Sequence, residues 1–184
     1  MAAQRADARQ NYARILAVAE DEVAAHGAGA SLEQIARTAG VGSATVRRHF
    51  PGRRAMLEAV FANRIEALCE RGRELAGAAD PRAAFLEWLG ALTAYAASAR
   101  GFATVLAQED VDYAEHAKAC SVKLSDSGEP LLRRAARAGA VTPGVTVADL
   151  VTLVAGIVLA TEGHADPVAE ADRLLRLVVA GISP

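Results

Sequence analysis

Ser31-Leu32-Glu33-Gln34-Ile35-Ala36-Arg37-Thr38-Ala39-Gly40-Val41-Gly42-Ser43-Ala44-Thr45-Val46-Arg47-Arg48-His49-Phe50 is the stretch that decides how this 184-residue chain folds. Ser31 is a favourable N-cap, and Gln34 three residues on completes the pattern of a capping box. The helix they open closes at Gly40, a residue free to take the left-handed backbone of a tight turn. Gly42 and Ser43 start a second short helix that runs through His49, and Phe50-Pro51-Gly52 punctuates it. Two short helices joined by a turn of roughly three or four residues with a glycine in it form a helix-turn-helix. The apolar positions obey its packing: Ile35, Ala36, Ala39, Val41 and Val46 face inward. Ala36 is small where the helices cross, and Val46 anchors the second helix. Ser43, Ala44, Thr45, Arg47, Arg48 and His49 face outward.

Those outward side chains suit the major groove of double-stranded DNA, which admits the N-terminal end of such a helix. Ser43 and Thr45 can bond base edges or phosphates, Ala44 can touch a thymine methyl, and Arg47 and Arg48 can pair with guanine or phosphate. Gly42 stands at the cap of this helix. Ser31 can offer a hydroxyl and a backbone N–H to a phosphate. His49 is weighed between packing beneath its helix and a phosphate contact, and the phosphate is preferred. Gly40-x-Gly42 follows a helix rather than a strand, which excludes a dinucleotide-binding loop.

Outward from this segment the whole chain reads as helical. Alanine is abundant and aromatic residues are only 4% of the chain, which favours close-packed helices over a sheet. A first helix is predicted to start at Asp7, boxed with Gln10, to place Tyr12, Ile15, Leu16, Ala19 and Val23 on one side, and to stop at Gly27. A fourth spans about Arg53 to Arg71. Asp80-Pro81 opens a fifth that ends near Gly101, and a shorter one follows to about Asp110. The next begins near Asp112, is kinked or broken at Gly128 and Pro130, and ends at Ala138. Thr146 with Asp149 caps Val147–Thr161, and Asp166-Pro167 opens the last helix. The reading is therefore all-α: a three-helix head over residues 1–54 and a helical body over 55–184.

Charge divides along the same line. Up to Arg54 there are eight arginines and five acidic residues, a net +3, so the chain's −2 leaves −5 for the remainder. A basic head on an acidic body is the asymmetry expected when only the head meets a polyanion. Arg5, Asp7 and Arg9 occupy the place where a signal peptide needs an apolar run, and the apolar stretch Leu150–Ala160 is too short to span a bilayer. A cytoplasmic protein without membrane association is expected. Cys69 and Cys120 form no paired motif.

In the body, Trp88, Tyr95, Phe102 and Tyr113, with Leu92, Leu106, His116 and Cys120, are candidate linings of a small-molecule pocket. Asp112, His116 and Cys120 share a helix face at a metal-compatible spacing, but no second histidine or cysteine lies near, so no metal is expected. The Val147–Thr161 segment is apolar nearly all round and must be covered on every side, most economically by a second protomer. Leu150, Val154, Ile157, Val158, Leu174, Leu177 and Val178 are the candidate dimer contacts. An enzymatic alternative would use His116 with Glu109, Asp110 and Asp112 as acid–base groups. No nucleophile–base pair, phosphate loop or metal motif supports it, so neither catalysis nor a cofactor is expected.

The run Leu32 to Phe50, followed by Pro51 and Arg53, resembles the TetR family signature, a long gap-free match over about the first third of the chain. The resemblance implies a DNA-binding head, with Arg53 as the basic residue opening the fourth helix, on a variable helical domain that dimerises through its last two helices. It also implies release of a palindromic operator on binding an effector, hence a repressor. Two positions depart from the family pattern: Arg47 replaces a tyrosine, and Gly42 replaces the commoner serine cap. The stretch Leu131–Ile157, with its Arg137-Ala138-Gly139-Ala140-Val141 turn, resembles one actinobacterial C-terminal domain type of that family.

Overall fold

A computed structural model describes the backbone of residues 2–98 and 113–182 and the side chains of 7–27, 29–98 and 122–181. Its helices are α1 (Ala2–His26), α2 (Leu32–Thr38), α3 (Ser43–His49), α4 (Arg53–Leu75), α5 (Pro81–Ser98), α6 (Tyr113–Arg137), α7 (Val147–Thr161) and α8 (Pro167–Ile182), with a 3-10 turn at Gly27–Gly29. No strand occurs among the described residues, so the fold is all-α. None of the described helices is long and apolar enough to cross a membrane. The chain forms two compact units. The division falls inside α4, between Asn63 and Arg64.

The first unit buries Ile15, Ala19 and Val23 of α1 with Ile35, Ala36, Val46 and Phe50 of the helix pair and Met56, Leu57 and Val60 of α4. Each set recurs at three- and four-residue spacing, the stripe of an amphipathic helix. Asn63 Nδ2 donates to Glu20 Oε1 at 2.7 Å, tying α4 to α1. Gly27 (φ +56°) stops α1 and Gly40 (φ +65°) turns the chain between α2 and α3, both in the left-handed region as anticipated. The start of α1 differs from expectation. The helix runs back to Ala2, so Asp7 lies inside it and is not its cap. Ala2 to Ala6 are good helix formers around Gln4 and Arg5, and nothing in them stops propagation past Asp7.

In the second unit the fully buried Trp88 of α5 sits against two glycines. A Cβ on Gly128 of α6 would lie 2.4 Å from Trp88 Cη2, and one on Gly72 of α4 would lie 3.1 Å from the Ser127 carbonyl oxygen and 3.2 Å from Trp88 Nε1. This explains two departures from the sequence reading. The fourth helix continues through Gly72 to Leu75, and α6 runs unbroken through Gly128 and Pro130 to Arg137. Both glycines serve close approach to an indole and leave the helical backbone intact. The cost of Pro130, about 3 kcal/mol in a helix interior, is offset by the burial of Leu131, Leu132 and Ala135 directly after it. The α4 terminus is closed from a distance: Arg134 of α6 donates to the carbonyls of Ala76 and Ala78, the latter at 2.7 Å.

The remaining caps are as anticipated. Asp80 Oδ1 accepts from the backbone N–H groups of Arg82 (2.9 Å) and Ala83 (3.0 Å) at the start of α5. Thr146 and Asp149 form a reciprocal capping box for α7. Asp166 Oδ1 accepts from Ala169 N at 3.0 Å to open α8. The short helix expected between Gly101 and Asp110, with Phe102, Leu106, Glu109, Asp110 and Asp112, lies outside the described residues, as do the side chains of Tyr113, His116 and Cys120.

Candidate nucleic-acid interface

The α2–α3 pair is held from within. Ser31 Oγ accepts from Gln34 N at 3.3 Å, capping α2. The box is half made, because the Gln34 side chain turns along its own helix to Thr38 and Arg37 and does not reach back to the cap. Val41 N donates to Ala36 O at 3.0 Å across the turn. Val46 is fully buried and fixes the rotation of α3 about its axis. That rotation leaves Gly42, Ser43, Ala44, Arg47 and Arg48 exposed and Thr45 half-buried. One face of a seven-residue helix thus presents a hydroxyl, a methyl and two guanidinium groups to solvent, the set that recognises base edges and phosphates in a major groove.

The structure distributes the other expected DNA residues unevenly. His49 is half-buried. Its ring lies 5.6 Å from that of Tyr12 in an edge-on arrangement and 6.5 Å from that of Phe50, and its Nε2 is buried without a hydrogen-bond partner. This nitrogen points away from solvent, on a ring packed between Tyr12 and Phe50. Ser31 has its backbone N–H facing Glu22 Oε1 at 3.3 Å, so that N–H is engaged within the protein. Arg53 Nε donates to Ala30 O at 3.2 Å and so braces the entry to α2.

Arg47 has a partner that sequence reasoning missed. Its Nη2 donates to Glu33 Oε1 of α2 at 2.8 Å, and both side chains are 62% exposed. The Arg47 hydrogen bond, more than any other influence, holds the Glu33 carboxyl below the usual carboxylate range. Glu33 and Arg47 lie on separate helices, so only the crossing of α2 and α3 brings them together. Glu22 with Ser31, and Tyr12 with His49, were invisible for the same reason.

In the second unit, Trp88 and Leu92 are buried and Tyr95 is half-buried, all within one apolar core that includes residues of α4 to α8. Trp88 Nε1 is buried with no hydrogen-bond partner. Among the expected dimer contacts, Leu150, Val154, Ile157 and Val158 are buried in the protomer's own core. Leu174 and Val178 are half-buried, and Leu177 is 59% exposed. The opposite face of α7 carries Thr152, Ala155, Gly156 and Leu159 in solvent, with Leu159 70% exposed. An apolar helix has two faces, and helical periodicity alone did not say which one the protomer covers.

A buried-anchor helix-turn-helix with an exposed basic face defines a DNA-reading module carried on a separate helical unit. Comparison with known proteins gives the family. Residues 15–60 match the bacterial regulatory proteins of the tetR family, and residues 80–184 match the C-terminal domain of SbtR-like transcriptional regulators. A TetR transcriptional regulator of Streptomyces coelicolor is 34% identical, with a TM-score of 0.72, over 93% of this chain and 97% of that one. A TetR regulatory protein of Mycobacterium vanbaalenii is 30% identical, with a TM-score of 0.72, over 98% and 99%. The regulator FadR of Bacillus subtilis, solved in complex with stearoyl-CoA, shares the fold at 20% identity and a TM-score of 0.60, over 93% and 99%. A comparison with curated proteins finds no match. The chain belongs to the TetR family of bacterial transcriptional regulators and binds DNA as they do.

Proposed function

We propose that the protein is a cytoplasmic repressor that binds a roughly palindromic operator as a homodimer and is released by a small-molecule effector. The observation that carries the reading is the face of α3, where Ser43, Ala44, Arg47 and Arg48 are exposed around the buried Val46 anchor. Arg47 and Arg48 pair with guanine or phosphate, Ser43 and Thr45 bond base edges or phosphates, and Ala44 meets a thymine methyl. A second copy covers Leu159, Ala155 and Gly156 of α7 and Leu177 of α8, which otherwise leave large apolar side chains in water. Two such heads meet successive major grooves about 34 Å apart.

The second unit is the place for an effector, with Trp88, Leu92 and Tyr95 among its candidate contacts. The unpartnered Trp88 N–H is a donor that a polar ligand atom would satisfy. The acyl-CoA ligand of FadR belongs to a relative that shares only the fold, so the effector's chemistry is open to a screen. Effector binding releases DNA only through tighter binding to a form whose heads do not fit the operator.

The test is fluorescence anisotropy on duplex DNA from upstream of the protein's own gene, with excess nonspecific competitor at two salt concentrations, followed by selection from genomic fragments. Binding that survives competitor at two protomers per site, and that Arg48→Ala weakens about tenfold or more, supports the reading. Failure to prefer any genomic fragment over competitor overturns it.

A further inference from the structure

We propose that Tyr12 of α1 is a DNA-contact residue, whose phenol O–H donates to a phosphate on one of the strands bordering the groove that α3 enters. The inference rests on the DNA-binding reading and adds to it a contact from a helix outside the helix-turn-helix. It starts from the two sides of α3. Val46 points inward and is fully buried. At about 3.6 residues per turn, Arg47 lies about 100° to one side of Val46 and His49 about 60° to the other. The neighbours agree. Arg47 donates to Glu33 of α2, and the His49 ring stands 5.6 Å from the Tyr12 ring of α1. The exposed face of α3 is therefore bordered by α2 on one side and by Tyr12 on the other.

A major groove is about 12 Å wide, and a helix with its side chains is about 10–12 Å across. A helix seated there fills the groove, so the groups just beyond its two sides are the ones that meet the sugar-phosphate strands. On the α2 side the bordering group is a carboxylate, which only accepts hydrogen bonds. On the α1 side it is a phenol, which donates. Tyr12 is 37% exposed although its ring also packs 5.6 Å from that of Phe50, and its hydroxyl has no hydrogen-bond partner among the described residues. Packing on His49 and Phe50 uses the ring alone, and a phenylalanine would serve it equally. The hydroxyl is thus unused in the free head, and a phosphate oxygen is the acceptor that the bordering strand offers. A tyrosine side chain has few rotatable bonds, so a ring already held against His49 and Phe50 loses little freedom when its hydroxyl engages.

The experiment compares the full chain with its Tyr12→Phe variant by anisotropy over a salt series. The probes are the duplex recovered by genomic selection and copies of it in which one phosphate at a time is replaced by a neutral methylphosphonate. Tyr12→Phe should weaken the unmodified duplex by about fivefold or more, the scale of a hydrogen bond to a charged acceptor. It should leave the logarithmic salt slope unchanged, because a neutral donor displaces no counterion from DNA. The melting temperature of the free protein should also stay unchanged, since the hydroxyl bonds nothing there. At one phosphate in each half-site the variant and the wild type should bind the methylphosphonate duplex alike, the coupling expected of a directly bonded pair. Wild-type affinity in Tyr12→Phe overturns the inference and leaves the DNA-binding reading standing. A loss of affinity that comes with a lowered melting temperature, or that persists at every methylphosphonate position, overturns it as well, because Tyr12 would then act through its packing on His49 and Phe50. A wild-type chain with no preference for any genomic fragment overturns both.

Discussion

Single residues in this protein take their meaning from what stands opposite them. Gly40, Gly42 and Gly128 look alike as helix-disfavouring glycines, yet the structure separates them. Gly128 has no room: an added Cβ would fall 2.4 Å from Trp88 Cη2 and 2.9 Å from Cζ2. Gly128→Ala should destabilise the second unit by about 1–3 kcal/mol through overpacking. The check is denaturant unfolding followed by tryptophan fluorescence, which reports the site directly because Trp88 is the chain's single tryptophan. Gly40 has open space and a φ of +65°, so Gly40→Ala should cost about 1–2 kcal/mol from backbone conformation alone. Gly42 has open space and a φ of −68°, so Gly42→Ala should leave thermal stability nearly unchanged. Equal effects at Gly40 and Gly42 would refute the conformational account.

At the scale of elements, the helices are delimited by short polar side chains, and these caps are separable from the core. Thr146 Oγ1 accepts from Asp149 N at 3.2 Å, and Asp149 Oδ2 accepts from Thr146 N at 2.9 Å. Thr146→Ala should cost about 1 kcal/mol in chemical denaturation. The Thr146 hydroxyl, followed by its backbone N–H, holds the Asp149 carboxyl below its usual value of 3.8. A carboxyl depressed in the folded state stabilises above the unfolded-state pKa, and the effect is lost as pH falls through the folded-state pKa. The melting-temperature difference between wild type and Asp149→Asn should therefore be present at neutral pH and shrink as pH falls below about 4. A difference constant with pH would assign the cap to the hydroxyl alone. The same scale holds the corrections to the sequence reading. Asp7 looked like a cap and is interior to α1, because a good N-cap residue does not terminate a helix when the residues before it also favour one.

For the molecule as a whole, the two faces of α7 stand in different surroundings. Val154 is 2% exposed and belongs to the protomer core, whereas Leu159 is 70% exposed. Val154→Ala should lower protomer stability by about 2 kcal/mol, from the apolar groups removed and the cavity left behind. Leu159→Arg should leave the helical circular-dichroism spectrum intact while shifting sedimentation from dimer toward monomer and weakening operator binding. If Leu159→Arg remains as dimeric as wild type, the second copy does not sit on that face of α7. If it unfolds the chain, Ala155→Glu on the same face provides the independent check.

The amino-acid sequence by itself determined where most helices lie and which family the head resembles, because both are written in local terms. Caps at Ser31, Asp80, Thr146 and Asp166, stops at Gly27 and Gly40, and the inward set from Ile35 to Val46 need only neighbours within a turn or two. The outward face of α3 followed from them, since the place of Val46 dictates where Ser43, Ala44, Arg47 and Arg48 point. Tertiary structure alone decided the pairing of Glu33 with Arg47, the burial of His49 Nε2 against Tyr12 and Phe50, the cradle of Trp88 on Gly72 and Gly128, and the choice of buried face on α7. Each of these joins residues from different helices or selects one side of a uniformly apolar one. Helical periodicity carries no information about the crossing that brings such groups within a few ångströms of each other.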